Sequence, residues 1–346
     1  MEIRNDFPLL NSSTYLNTAY VGLMSKSLYD FRLNFELEYL NEGDKYKLNA
    51  YERLDKTHAS IANFISSQKD QTYFVPNFST GIRLVLDRLK PGTNLLFIDE
   101  DYHSLLTAIE ERDFNLVSVK MQENIESAIA NALEKNSIDV LVLSIVQYTN
   151  GLIIDLDFIA ELKNKYPELL IIGDATQYIG TNVFNFSELS FDAIVCSGYK
   201  WLLAGFGSGF IAVSDDFLRL TNSTNAEMQT KVFAGHFNIL AAASLVFALD
   251  YLKSNGFEKL IEKNHILLSK LRKGLSDLGL IPAFSSRKKQ SSIVSIPYEE
   301  SISKILEESN IRFSHRGNFI RFSVHFYNIE TDIEKLLSVI EEKVLV

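Results

Sequence analysis

The sequence predicts an α/β protein: a mostly parallel, doubly wound sheet with one antiparallel strand, followed by a smaller α+β C-terminal domain. Three observations carry this reading. From about residue 72 to 213, short apolar runs of strand character alternate with segments of helical periodicity. Near the end of that stretch one strand returns almost directly to another, leaving no room for a crossover helix, so the two should be antiparallel. Beyond residue 235 the texture changes to two long helices, then short strands alternating with helices. A chain of 346 residues suits one large and one small domain, expected over 1–249 and 250–346.

Each element follows in order. The first 68 or so residues read as mostly helical, around a loop at 17–23. Tyr73-Phe74-Val75 precedes a helix over about 79–89, and Leu95-Leu96-Phe97-Ile98 one over about 104–112. Leu116-Val117-Ser118-Val119 and Val140-Leu141-Val142-Leu143-Ser144 are the next strands; a turn at Asn150-Gly151 leads into an amphipathic stretch over 156–166. Strands then end just before Gly173-Asp174 and after Phe191-Asp192-Ala193-Ile194-Val195, and Gly209-Phe210-Ile211-Ala212-Val213 is the antiparallel return. Helices over 239–253 and 257–278 come next. Strands near 292–296 and 320–324 alternate with helices over 301–308 and 330–342.

Composition excludes several function classes. Apolar residues at 46% and charged residues at 23% are ordinary for a globular chain. The net charge of -10, with no basic stripe, argues against a nucleic-acid surface. The one compact basic cluster, Arg287-Lys288-Lys289, reads as a solvated loop. No run approaches a membrane span and the N-terminus shows no apolar signal segment, so a cytoplasmic location is expected. The single cysteine, Cys196, rules out an internal disulfide or a cysteine-based metal site, and the six histidines lack metal-ligand spacing.

In open α/β sheets, ligands bind at the carboxyl ends of the strands. Asp174, in Gly173-Asp174-Ala175-Thr176-Gln177, and Lys200, in Ser197-Gly198-Tyr199-Lys200-Trp201, both follow strand-like runs. A strand-end lysine can form a Schiff base with an aldehyde cofactor, and a neighbouring carboxylate can keep a pyridine nitrogen protonated. That is the chemistry of pyridoxal 5'-phosphate (PLP). Asn77-Phe78-Ser79-Thr80-Gly81 opens a helix whose N–H groups and hydroxyls suit a phosphate, although a plain helix cap reads the same way. Tyr102 could stack on a flat ring, or be a surface tyrosine at a turn. Gln177 falls within reach of the cofactor's phenolic oxygen, and Ser197 and Tyr199 flank the lysine as phosphate donors. Arg321, in an otherwise apolar strand, suits a carboxylate gripped by two N–H groups, or a structural salt bridge. Gly205-Phe206-Gly207-Ser208-Gly209 precedes a strand rather than opening a helix, so it is no dinucleotide fingerprint.

Together these residues resemble the class V aminotransferases, a family of PLP enzymes that also holds cysteine desulfurases, kynureninase-like lyases and amino-acid epimerases. The resemblance spans nearly the whole chain and implies the PLP-dependent transferase fold (fold type I). Tyr15-Leu16-Asn17-Thr18-Ala19 looks like the family's substrate loop, which implies contacts from Asn17 and Ala19. By register Tyr102, rather than His103, takes the ring-stacking position that is often histidine. The segment 144–151 resembles one carrying a substrate-facing asparagine; Gln147 and Tyr148 lie there, Tyr148 where that asparagine is usual. Tyr199 replaces the common histidine before the lysine. Gly235-His236-Phe237-Asn238 resembles a segment that completes the partner subunit's phosphate site, with His236 in place of threonine. Arg321 to Asn328 followed by Asp332 is similar to the family's substrate-carboxylate motif. The implied protein is a homodimeric PLP enzyme acting on a small amino acid. Transamination is the first reading; epimerisation, β-elimination and a non-catalytic PLP-fold protein are the alternatives. Cys196 ends a core strand instead of riding on a mobile loop, which argues against desulfuration through a persulfide.

Overall fold

The computed structural model describes residues 3–233 and 235–344. After the short strand β1 (Thr14–Tyr15), helices α1 (Lys26–Glu42), α2 (Asp44–Leu48) and α3 (Ala50–Ile65) lead into the large sheet. Its strands are β2 (Thr72–Val75), β3 (Asn94–Ile98), β4 (Asn115–Val119), β5 (Val140–Ser144), β6 (Leu170–Asp174), β7 (Ala193–Ser197) and β8 (Gly209–Val213), in the order β2-β8-β7-β6-β5-β3-β4. Only β8 runs against its neighbours, β2 and β7. The short link between β7 and β8 dictates this, as the sequence implies. β5 to β8 are buried along their whole length, which explains their near-continuous apolar runs.

Four helices connect the strands: α4 (Phe78–Leu86), α5 (His103–Glu110), α6 (Ile125–Lys135) and α7 (Leu156–Lys165). Of these, α6 is not among the helices predicted from the sequence, although Ile125, Ile129 and Leu133, spaced at i, i+4 and i+8, form a regular buried face. After β8 come two short helices that the sequence reading passes over, α8 (Asp215–Leu220) and α9 (Asn225–Val232), then α10 (Ile239–Ser254) and α11 (Phe257–Asp277). The remainder is β9 (Ile293–Pro297), α12 (Glu300–Glu308), β10 (Ile311–Arg312), β11 (Ser314–Arg316), β12 (Phe319–Ser323) and α13 (Glu330–Val344), with a second sheet in the order β11-β12-β9.

Core residues of α10, such as Leu245 and Leu249, join the cluster beneath the large sheet, whereas Leu267, Leu271 and Leu275 of α11 join the cluster on the small one. On this packing we propose a division near residue 250. The N-terminal segment bridges it: β1 pairs in parallel with β10, and Arg4 holds Asp332 at 2.7 Å.

One surface expectation is corrected. Arg287 is no freely solvated loop residue: it forms an ion pair with Glu126 at 2.5 Å and donates to the Ile153 carbonyl. Lys289 likewise pairs with Asp155 and Asp157. Acidic residues in the first turns of α6 and α7 supply the countercharge.

Candidate active site

β6 and β7 are adjacent and parallel, with Asp174 registered against Val195. Asp174 is the last residue of β6, and Lys200 lies in the turn after β7, so the two emerge at the same edge of the sheet. Both are buried, at 6% and 8% exposure. The Asp174 carboxylate accepts the Thr176 N–H at 2.8 Å. Among the described residues no ion pair closes on it. The Lys200 ammonium stands 5.7 Å from the Tyr102 ring centroid and 5.6 Å from that of Tyr199, within range of both π faces. Burial raises the pKa of Asp174 and lowers that of Lys200, and each charge partly offsets the effect on the other.

A small cavity of about 90 Å³ reaches Asp174, Thr176, Ser197 and Lys200. The first turn of α4 forms one wall. It sits directly on the sheet because residue 81 is glycine: a Cβ there would come within 2.6 Å of Val195 Cγ1. Asn77 caps the helix, accepting from the Thr80 N–H, and the Phe78 N–H donates to Ser197 Oγ at 2.8 Å. Ser104 Oγ bonds Ser79 Oγ at 2.6 Å. Hydroxyls and a helix N-terminus therefore meet at this corner, donors of the kind a phosphate needs, while the carboxylate of Asp174 lines the same cavity.

The loop over 17–23 covers the opposite side. The Gly22 N–H donates to the Tyr199 carbonyl at 3.0 Å, and a Cβ at Gly22 would lie 2.0 Å from the Lys200 carbonyl oxygen. Only glycine allows this approach. Gln177 fastens the same loop, donating from Nε2 to the Ala19 carbonyl while its Oε1 accepts from Trp201 Nε1. One Gln177 N–H remains uncommitted by these bonds.

A wider cavity of about 400 Å³ adjoins the first, lined by Ala19, Tyr148, Lys200, Arg316 and Arg321 among others. Arg321 is 1% exposed; it donates to the Tyr148 carbonyl and to Ser314 Oγ, and its Nε has no partner. The rival expectation of a structural salt bridge at Arg321 finds no acidic partner among the described residues.

Phe78, Ser79, Tyr102, Gln177, Ser197, Tyr199, Lys200, Asp174, Ala19, Tyr148 and Arg321 thus converge on two adjoining cavities. Four sequence candidates do not. The Thr80 side chain is exposed, outside the first cavity. Asn17 accepts from Ser314 Oγ, and Gln147 donates to Asp101 at 3.0 Å; neither lines the cavities. His236 is exposed and lines neither cavity. Three contributors escape the sequence reading. Asp101 is buried beneath the site and accepts from the Tyr102 N–H, the Ser144 N–H and hydroxyl, and Gln147. Thr176 braces Asp174 and accepts from the Ser197 N–H. Arg316 enters the wider cavity from β11. Ser144 at the end of β5 was findable from the strand-end rule, and Asp101 from its place beside Tyr102.

A buried lysine and a buried carboxylate with no ion pair between them, beside the hydroxyls and helix N-terminus of α4, fit an aldehyde-bearing ring with a phosphate arm. The comparisons with known proteins agree. The family model described as aminotransferase class-V matches residues 28–336. A probable cysteine desulfurase of Pyrococcus abyssi is 22% identical over 99% of this chain and 97% of its own length. A kynureninase of Bacillus cereus is 25% identical over 76% of this chain and 70% of its own. Among solved structures, a cysteine desulfurase of Thermococcus onnurineus superposes with a TM-score of 0.85 at 19% identity, covering 99% of this chain and 97% of that one. A mutant of the enzyme C-DES, with glycine covalently linked to its PLP cofactor, gives 0.87 at 18% identity, covering 97% and 98%. With the family match extending over most of the chain, this chain belongs to the class V aminotransferase family of PLP-dependent enzymes.

Proposed function

We propose that the protein transfers the amino group of a small amino acid, with Lys200 and Asp174 as its catalytic residues. The observation that carries this is their emergence, buried and not ion-paired to each other, at the same edge of two adjacent parallel strands. PLP, when bound, supplies an electron-withdrawing ring that labilises bonds at the amino acid's Cα. Lys200 would hold the cofactor and then carry the Cα proton as general acid and base; its pKa, lowered by burial, favours that use. Asp174 would keep the pyridine nitrogen protonated. Ser79, Ser197, Tyr199 and the first turn of α4, with Phe78 and Thr80, would receive the phosphate, and Tyr102 would cover the ring. The free Gln177 N–H would meet the phenolic oxygen. Arg321 would orient the substrate carboxylate between Ala19 and Tyr148, with Asn17 and Gln147 acting through Ser314 and Asp101.

Cys196 supports leaving out a persulfide route on this chain: it lies inside β7, fully buried, and burial pushes its thiol pKa up, so no thiolate is available to attack sulfur. A second reading, β-elimination, draws on the names of relatives; a solved neighbour is a cystine C–S lyase in complex with cysteine persulfide. We also propose a second copy of this chain as partner, with His236 and Asn238 reaching the neighbouring site. Exposed Tyr29, Leu33, Leu37 and Leu40 on α1 and Phe206 beside Tyr199 offer the apolar surface such a contact needs.

The test is a panel of amino acids offered to PLP-reconstituted protein, with keto acid, ammonia and sulfide measured separately. Keto acid that forms only with an added keto-acid acceptor, without ammonia, supports transamination. Ammonia with pyruvate and no need of an acceptor overturns it in favour of elimination. Cys196→Ser should leave the rate intact in either case.

A further inference from the structure

Two arginines face the wider cavity, where the substrate of the proposed reaction needs one for its α-carboxylate. β11 and β12 form a hairpin in which Ser314 opposes Arg321 and Arg316 opposes Phe319 across the turn at Gly317-Asn318. Residues 314 and 316 share one face of β11, so Arg316 is a diagonal, same-face neighbour of Arg321, at about 7–8 Å in such ladders. Both line the cavity. Neither has an acidic partner among the described residues. Arg316 donates only to the neighbouring His315 carbonyl, at 2.9 Å, and its guanidinium lies 5.0 Å from the Tyr20 ring centroid. Arg321 keeps a buried, unpartnered Nε. Among the described residues no aspartate or glutamate lines this cavity, while Lys200, His103 and His315 do. Burial first, and then the charge of Arg316, oppose the charge on Arg321. Two like charges held together in a half-buried cavity, with nothing to neutralise them, form an anion site with capacity for more than one carboxylate.

We propose that the substrate carries a second acidic group on its side chain and that Arg316 binds it while Arg321 binds the α-carboxylate. This rests on the reading of Arg321 given above, and names the substrate class: dicarboxylic amino acids and their isosteres with an acidic side chain, in preference to neutral ones. Arg316 is then the specificity-determining residue, set at the tip of a hairpin where its contact with Tyr20 keeps it over the cavity mouth.

The experiment compares isosteric pairs, L-aspartate with L-asparagine and L-glutamate with L-glutamine, by their perturbation of the bound cofactor's absorbance in PLP-reconstituted protein. The acid should bind about tenfold or more tightly than its amide, the difference expected for a charge-assisted contact. Arg316→Gln should erase that preference and leave L-alanine binding unchanged. A second arm uses cofactor-free protein and follows its melting temperature in succinate and in propionate at equal concentration and ionic strength. Succinate should raise it more, and Arg316→Gln should remove the excess. Equal binding of acid and amide, or a preference that survives Arg316→Gln, overturns the proposal. If PLP fails to bind but succinate still stabilises through Arg316, the cofactor reading fails while the two-arginine site stands.

Discussion

At the amino end of β7, Asp192 accepts both oxygens' worth of contact from Lys163, at 2.8 and 2.9 Å, and also the Ile171 N–H and the Ser214 hydroxyl. At the carboxyl end of the same strands, Asp174 and Lys200 are buried to a similar degree, yet no ion pair joins them. Burial raises the pKa of both aspartates. The difference lies in what answers the cost of desolvation: at Asp192 a lysine and two further donors do so, whereas at Asp174 a single threonine does. A closed pair tells of stability. An open one, at the edge of the sheet where ligands bind, tells of a partner still to come, and here the partner that fits is PLP.

That contrast can be broken by parallel substitutions. Asp174→Ala should lower turnover by about 10²–10⁴-fold, the range for loss of a group that holds a proton where catalysis needs it, while leaving the melting temperature nearly unchanged. Asp192→Ala should do the reverse: it leaves the Lys163 ammonium, in a site only 16% exposed, with just the Leu169 carbonyl and the Asp216 carboxylate at 4.0 Å, at a cost of about 3 kcal/mol, with turnover per folded molecule retained. Chemical denaturation and steady-state rates on both variants decide this. Equal losses of stability would remove the distinction between the two ends.

A smaller effect sharpens it with pH. Burial lowers the Lys200 pKa from an ordinary 10.5 to about 8 in the cofactor-free protein. Between those values the unfolded chain binds the proton and the folded chain releases it, so stability should rise as pH rises through that window. Lys200→Met should abolish the rise. Melting temperatures of both proteins from pH 7.5 to about 10.5 test the sign; a fall through the window that Lys200→Met removes would mean that Lys200 is held charged instead.

Much of this architecture is legible in the residues. β5 and β8 fall where their apolar runs place them, and the antiparallel return follows from a link too short to cross over. The strand-end rule brings Asp174, Ser197 and Lys200 together before any coordinate is known. Contacts that depend on long-range folding are less legible. Asp101 reads as one more acid in a turn until β5 brings Ser144 and Gln147 onto it. Arg316 and Arg321 differ by an odd number of positions, which in one strand would place them on opposite faces; only the hairpin turn between them makes them neighbours. β1 is too short to carry a periodic signal, and its pairing with β10 crosses almost the whole chain.

The central claim is that Lys200 is the cofactor's anchor. The most direct measurement is borohydride reduction of the PLP-reconstituted protein, followed by proteolysis and mass mapping of the pyridoxyl group. The account predicts a single modified peptide with the label on Lys200, and none in a Lys200→Ala variant that still folds. A label on a different lysine, or no label on the reconstituted wild-type protein, would contradict it.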